Sequence, residues 1–326
     1  MNVLVTGAAG FLGSRVIQSL LDDTGNLPRV SRIVAADSVA CTTNDPRVDG
    51  RTGTIVDPSF VASIVEPGVD IVFHLAAVLS GQSEAEFDVG MRVNVDATRN
   101  LLEACRALPA PPRFVFASTI AVFGGDLPDV VPEDSVLRPQ SSYGTAKAIA
   151  ELLVTEYSRR GFIDGIICRL ATVTVRPGAP NSALSSFVSG IIREPLAGID
   201  AVCPVPLDTR VWISSPDAVT RNLVHAARVP ASALDGRLAV NLPGLSVTPG
   251  EMLASLERIG GADARARVRC EVDLRIARVV STWPGTLDDR RARHLGFEGD
   301  RDFDDVVRQY LATHPGAIRP VRSADL

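Results

Sequence analysis

Lysine is almost absent from this chain. Of its 33 basic residues, one, Lys147, is a lysine and the other 32 are arginines. Aromatic residues are also scarce, 5% of 326, which argues against a stacking surface for single-stranded nucleic acid. There is no basic excess. The net charge is −5, so neither DNA nor an anionic membrane is expected as a partner. Five cysteines, Cys41, Cys105, Cys168, Cys203 and Cys270, form no CxxC and are not spaced with histidine as a zinc site would be. An odd, dispersed set suits a reduced intracellular protein, and a cytoplasmic location is expected. No apolar run approaches the ~20 residues of a membrane span. The chain enters a strand pattern at residue 2 without a basic leader, which reads as no signal peptide.

What is present is aliphatic: hydrophobic residues make up 46% of the chain. The first 175 residues alternate strand and helix signals. Strands are expected at Asn2–Thr6, Arg32–Asp37, Thr54–Val56 (a weak one), Val69–Leu75, Arg113–Ser118 and Gly165–Leu170. Helices are expected at Phe11–Asp22, Ala85–Leu108 and Tyr143–Arg160. Such alternation implies an α/β fold with a doubly wound parallel sheet, with ligands outside the C-terminal strand ends. From Val175 onward prolines punctuate short segments. Residues 176–326 are expected to form mainly a smaller substrate-binding cap. Returns to the first domain are expected near 208–242, through a helix at Pro216–Arg228 and a strand at Leu238–Leu242.

The opening NVLVTGAAGFLGS places Gly7, Gly10 and Gly13 between a strand and a helix. Glycines so spaced allow a tight turn, close approach of a pyrophosphate and close helix–strand packing. The amides of the following turn, at Phe11 and Leu12, then face the phosphates. Asp37 ends the next strand, 24 residues after Gly13, where a carboxylate can accept from a ribose. It would repel a 2′-phosphate, and the Ser38-Val39-Ala40 that follows has no arginine to hold one. The pattern therefore implies NAD rather than NADP.

Lys147 lies four residues after Tyr143, on the same face of a helix. A chance Tyr-xxx-Lys with one lysine in the chain is on the order of one in a hundred. A nearby ammonium, together with a positively charged nicotinamide, favours the phenolate of a tyrosine, whose pKa is otherwise about 10. That phenolate can take a proton from a substrate hydroxyl while the carbon gives up hydride. Arginine, planar and forked, is no substitute for a compact ammonium. A third group is needed to hold the reacting oxygen, and either Ser118 or Thr119 at the end of a strand can serve.

Several motifs, VTGAAGFLG, HLAA at 74–77, MRVNVDATRNLLEA, FASTIAVFGG and YGTAK, together resemble the extended short-chain dehydrogenase/reductases, the NAD-dependent epimerases and dehydratases. They occur in that family's order and span most of the chain. The resemblance implies a Rossmann domain and a catalytic hydroxyl five residues before Gly124, which is Thr119, with Ser118 as neighbour. Phe123 stands where the family usually has tyrosine. It also places Asp57, Leu75, Ala76, Ala77 and Asn94 near the cofactor, and Ala171 to Val173 near the nicotinamide. A homodimer through the YGTAK helix is expected on the same ground.

Nucleotide-sugar members usually carry a Gly-Asp-Gly loop before an arginine; here AVCPVPLDTRVW keeps Arg210 without it. Longer stretches, among them HLAAVLSGQSEAEFDVGMRVN and TVRPGAPNSALSSFVSGIIREPLAG, resemble a sugar-acid branch of the family that acts on D-erythronate. The resemblance implies NAD-dependent oxidation of its C2 hydroxyl to a 2-keto acid. Arg176, Arg210 and Asn181 are candidates for the carboxylate anchor, with Ser80, Gln82 and Ser142 as hydroxyl partners. Two other readings stay open: a nucleotide-sugar epimerase that retains its NAD, and a non-catalytic NAD sensor on the same fold.

Overall fold

The computed structural model describes residues 1–22, 29–178 and 185–315. The chain runs β1 (Asn2–Thr6), α1 (Phe11–Leu21), β2 (Arg32–Asp37), β3 (Val48–Thr52), α2 (Pro58–Ile64) and β4 (Ile71–His74). It continues through α3 (Ser80–Ala85), α4 (Phe87–Met91), a π turn at Arg92–Asp96, α5 (Ala97–Arg106), β5 (Arg113–Thr119), α6 (Ser142–Arg159) and β6 (Asp164–Leu170). Then come β7 (Thr172–Val173), α7 (Ser186–Leu196), β8 (Ala201–Cys203), β9 (Val211–Ser214), α8 (Pro216–Ala226) and, after a short helix, β10 (Ala239–Asn241).

Seven strands form one sheet in the order β10-β6-β5-β4-β1-β2-β3, with every neighbouring pair parallel. The order reverses between β1 and β4, which opens a crevice at their C-terminal ends. The central strands are apolar along their length because both faces are covered. One apolar layer packs α1 and α8 against the sheet through Val16, Ile17, Val219 and Leu223. The other packs α2, α5 and α6 through Ile64, Leu101, Leu102, Ala150 and Val154. A third cluster, around Ile191, Ile192, Ile213, Leu256 and Val307, lies in the C-terminal region. β7 pairs with β9 in a separate sheet, and so leads the chain from the end of β6 toward that cluster.

Two expectations are corrected here. The third strand is Val48–Thr52, not Thr54–Val56. It is an edge strand, half-buried or exposed throughout, so VDGRT needs no apolar run. Ile55 instead buries in the layer that holds α2. The long helix expected over Ala85–Leu108 is interrupted. It breaks at Glu86, whose backbone is not helical (φ −130°, ψ 72°), and widens into the π turn around Asn94. There Asn94 bonds the Val78 backbone, donating to its carbonyl at 3.0 Å and accepting from its amide at 2.9 Å. A π turn at such a contact is a familiar sign of a functional region.

Candidate active site

The glycine turn fits a dinucleotide closely. Gly7 has φ +72°, and a Cβ there would lie 2.7 Å from the Ala76 amide nitrogen. A Cβ on Gly13 would lie 2.0 Å from the Gly7 carbonyl oxygen. Gly10 is the N-cap of α1 and provides no side-chain cap. The first-turn amides at Phe11, Leu12 and Gly13 therefore lack helical acceptors and suit phosphate oxygens. Leu75, Ala76 and Ala77 follow β4 on the far side of the same crevice, each half-buried. Asp37 at the end of β2 is already oriented. Its carboxylate accepts from Ala9 N–H at 3.0 Å and from the Ser38 hydroxyl at 3.2 Å.

One residue bearing on cofactor choice escaped the sequence reading. Arg51 of β3 sits in register beside Ala36, one residue before Asp37. Its guanidinium is occupied: it donates to Asp49 at 2.8 and 2.9 Å and lies 3.6 Å from Glu66. Arg32, at the start of β2, is held by the same two carboxylates.

Ser141 caps α6 by accepting from Gly144 N–H at 3.1 Å. The helix then abuts the turn after β5 so closely that a Cβ on Gly144 would lie 2.2 Å from the Ala121 carbonyl oxygen. That contact brings Tyr143 to the end of β5, where Thr119 lies. Thr119 is half-buried, and its hydroxyl accepts from Ala121 N–H at 3.1 Å. Tyr143 is half-buried, and its hydroxyl has no hydrogen-bond partner among the described residues. Lys147 is buried one turn deeper. Its Nζ donates to the Ala117 carbonyl at 2.8 Å and lies 4.7 Å from the Phe116 ring centre and 6.0 Å from that of Tyr143.

Burial dominates the electrostatics of the chain by itself. Burial pushes the Tyr143 hydroxyl up to about 12, so the surroundings as they stand oppose the phenolate. Burial also pulls Lys147 down to about 8, against the Glu151 carboxylate, which raises it.

The Ser118 hydroxyl is committed elsewhere. Ser118 is buried, and its hydroxyl donates to Glu151 at 2.5 Å. What favours Thr119 is that the Ser118 hydroxyl is spent on Glu151, whereas Thr119, the last residue of β5, stays half-buried at the strand end. Asn94 has its side chain committed to Val78 and Ser83. Asp57 is exposed and caps α2, accepting from Ser59 N–H at 2.9 Å. Ser80 and Gln82 lie on α3, which Glu84 ties to the start of α6 by accepting from Ser142 N–H at 3.0 Å. Ala171 and Val173 line the chain from β6 into β7. Asn181 lies outside the described residues. His74 bridges Thr6 and Thr98 at 2.8 and 2.9 Å and is held neutral by burial, its pKa lowered to about 3.

The two arginines differ. Arg210 is exposed. Arg176 is half-buried, and its backbone is fixed by α7: its N–H donates to Ser189 at 3.1 Å and its carbonyl accepts from Arg193 at 2.7 Å. Its guanidinium has no hydrogen bond or ion pair among the described residues. Burial, and then the neighbouring Arg193 charge, lower its pKa.

The chain is 49% identical over 317 residues to a D-erythronate dehydrogenase of Cupriavidus necator, covering 95% of this chain and 98% of that one. It is 42% identical over 313 residues to a D-erythronate dehydrogenase of Haemophilus influenzae, covering 95% and 99%. A solved structure described as a nucleoside-diphosphate-sugar epimerase from Agrobacterium tumefaciens superposes with a TM-score of 0.92 at 39% identity, over 97% of this chain and 95% of that one. Among the described residues no helix is long and apolar enough to cross a membrane. NAD is the cofactor that this kinship assigns, and the glycine turn suits a dinucleotide. The family model spans residues 3–235, from the first strand past α8, and the chain belongs to the NAD dependent epimerase/dehydratase family.

Proposed function

We propose that this protein oxidises the C2 hydroxyl of a four-carbon sugar acid, D-erythronate, to the 2-keto acid. The observation that carries the reading is Arg176, a partly buried guanidinium without an acidic partner among the described residues, beyond the turn that leaves β7. A desolvated cation of this kind is matched by a carboxylate, which arginine binds in a bidentate fork. The names of the two relatives agree with that chemistry. NAD, when bound, accepts the hydride from the carbon that carries the hydroxyl. Thr119 holds the reacting oxygen, Tyr143 takes its proton as general base, and the Lys147 ammonium supports the phenolate. Residues 176–326 serve mainly as the substrate cap, with α8 and β10 returned to the Rossmann domain. Two copies pair through α6, which leaves Leu152 67% exposed.

Arg176→Ala is expected to raise KM for the acid at least tenfold, and to lower kcat as well if orientation is lost. Arg210→Ala, which alters an exposed side chain, has the smaller effect. The measurement is NADH absorbance in a screen of C4 to C6 sugar acids, followed by kinetics of the variants. A nucleotide-sugar epimerase reading also has support, in the description of the Agrobacterium structure. Turnover of UDP- or dTDP-sugars without net NADH, and none of D-erythronate, would establish it instead.

Cofactor discrimination rests on Asp37. Asp37→Ala removes the repulsion of a 2′-phosphate, so the kcat/KM ratio of NAD over NADP is expected to fall about tenfold or more. NADP itself gains little, because Arg51 and Arg32 stay on Asp49 and Glu66. Equal use of both cofactors by the unmodified protein would refute the assignment.

A further inference from the structure

Beneath Lys147 lies a charge pair that the reaction just described does not use. Glu151 follows Lys147 by four residues, so the two share the inner face of α6, and both are buried. Arg169 of β6 grips the Glu151 carboxylate, with Nη2 at 2.8 Å from Oε2 and Nε at 3.1 Å from Oε1. Ser118 donates to the same carboxylate at 2.5 Å. Arg169 is anchored in turn, donating to the Glu133 carbonyl at 2.9 Å and lying 4.8 Å from the Phe123 ring centre. Ser118 stands between Ala117, whose carbonyl receives the Lys147 ammonium, and Thr119. A buried ion pair is weak support for stability, since well-packed apolar residues often do as well. The position of this one, beside three elements of the site, requires another reason.

We propose that Glu151 is a positioning residue: its carboxylate keeps Lys147 an ammonium in surroundings that disfavour the charge, and its bond to Ser118 sets the strand end that carries the Ala117 carbonyl and Thr119. This rests on the Tyr143–Lys147 reading above. Burial lowers Lys147 to about 8, and Glu151 is the carboxylate that opposes the fall. The other ionisable groups round Lys147 are Tyr143 on α6, His74 on β4 and Arg169 on β6. His74 is neutral, and Arg169 is positive and compensated by Glu151. At the exposed rim stand Glu84 of α3 and Arg92 and Asp96 of the π turn. None of these rim groups is bonded to Lys147.

The lone lysine makes the test direct. Protein grown with lysine labelled at Cε gives one lysine carbon signal, and its pH titration reads Lys147 without turnover. Glu151→Gln neutralises the carboxylate and leaves the Arg169 cation uncompensated. Both changes disfavour the ammonium, so the midpoint is expected to fall by about one unit or more. The alkaline limb of the kcat–pH profile moves to lower pH with it. Glu151→Asp keeps the charge and is expected to hold the midpoint near that of the unmodified protein. The double variant Glu151→Gln/Arg169→Gln removes the buried Arg169 charge that the single variant leaves without its partner, so it decides the matter if the single variant does not fold. Its midpoint is also expected below wild type. A Lys147 midpoint unmoved in the folded single or double variant overturns the proposal. A midpoint that falls while the kcat–pH profile stays in place supports the electrostatic role, and counts against the Tyr143–Lys147 mechanism instead.

Discussion

Lys147→Arg is expected to leave a folded protein with turnover reduced by on the order of 10²- to 10⁴-fold, the usual worth of general acid–base help. Charge is conserved and helix propensity hardly changes, so neither explains the loss. Shape does. The Lys147 Nζ occupies a closed position, 2.8 Å from the Ala117 carbonyl and 4.7 Å from the Phe116 ring centre. A planar guanidinium there must displace the strand end or tilt toward Tyr143, and overpacking of this kind costs roughly 1–3 kcal/mol. The pH dependence separates this variant from simple damage. The Lys147 amine, lowered to about 8, carries its charge below that pH and loses it as pH rises through that value. Arginine keeps its charge, so the residual activity of the variant is expected not to decline there, and its optimum moves alkaline. The measurement is kcat against pH beside a circular-dichroism melt. A kcat near wild type would remove Lys147 from the mechanism.

Gly13→Ala is expected to have the largest effect on stability and cofactor affinity together. The added Cβ would meet the Gly7 carbonyl oxygen at 2.0 Å, the Gly7 carbonyl carbon at 2.8 Å and the Ala8 Cα at 2.9 Å. All three are backbone atoms, so α1 must move away from the turn. The strain is about 1–3 kcal/mol on the scale of overpacked interiors. Displaced amides at Phe11 and Leu12 no longer aim at one pyrophosphate, and NAD affinity is expected to fall tenfold or more, since ~1.4 kcal/mol is a decade. Gly10→Ala is the control for packing alone, since Gly10 itself belongs to the turn expected to meet the pyrophosphate. Its Cβ would stand 3.1 Å from one atom, the Gly7 carbonyl oxygen, and the residue is exposed. Melts and calorimetric NAD titrations of both variants give the comparison. Equal melting temperatures of the two would show that close packing of α1 is not what Gly13 provides.

Strong local signals were the ones that could be read without coordinates. β1, β2, β5 and α6 lie within a residue or so of expectation because each has an apolar pattern of its own or a cap in sequence. β3 was missed because an edge strand is specified by its pairing with β2 rather than by its own apolarity. The π turn is not legible in the sequence because Asn94 at its centre is bonded to the Val78 backbone, 16 residues away. No periodicity records such a contact.

The site divides along the same line. Glycine spacing, Asp37 at a strand end, and a tyrosine four residues before the lone lysine are short-range facts, and the sequence by itself determined them. The rest depended on groups far apart in the chain. Ser118 and Thr119 are equivalent on paper until Glu151, 33 residues away, takes the Ser118 hydroxyl. Arg51 looks available for a phosphate until Asp49 and Glu66 occupy it. The surroundings of Tyr143 divide in the same way: an ammonium nearby is visible in sequence, whereas burial is a property of everything packed around the hydroxyl. Arg176 and Arg210 separate only when α7 closes over one and leaves the other exposed. Which polar groups are spent and which are free is a many-body outcome of packing, and tertiary structure alone decided it.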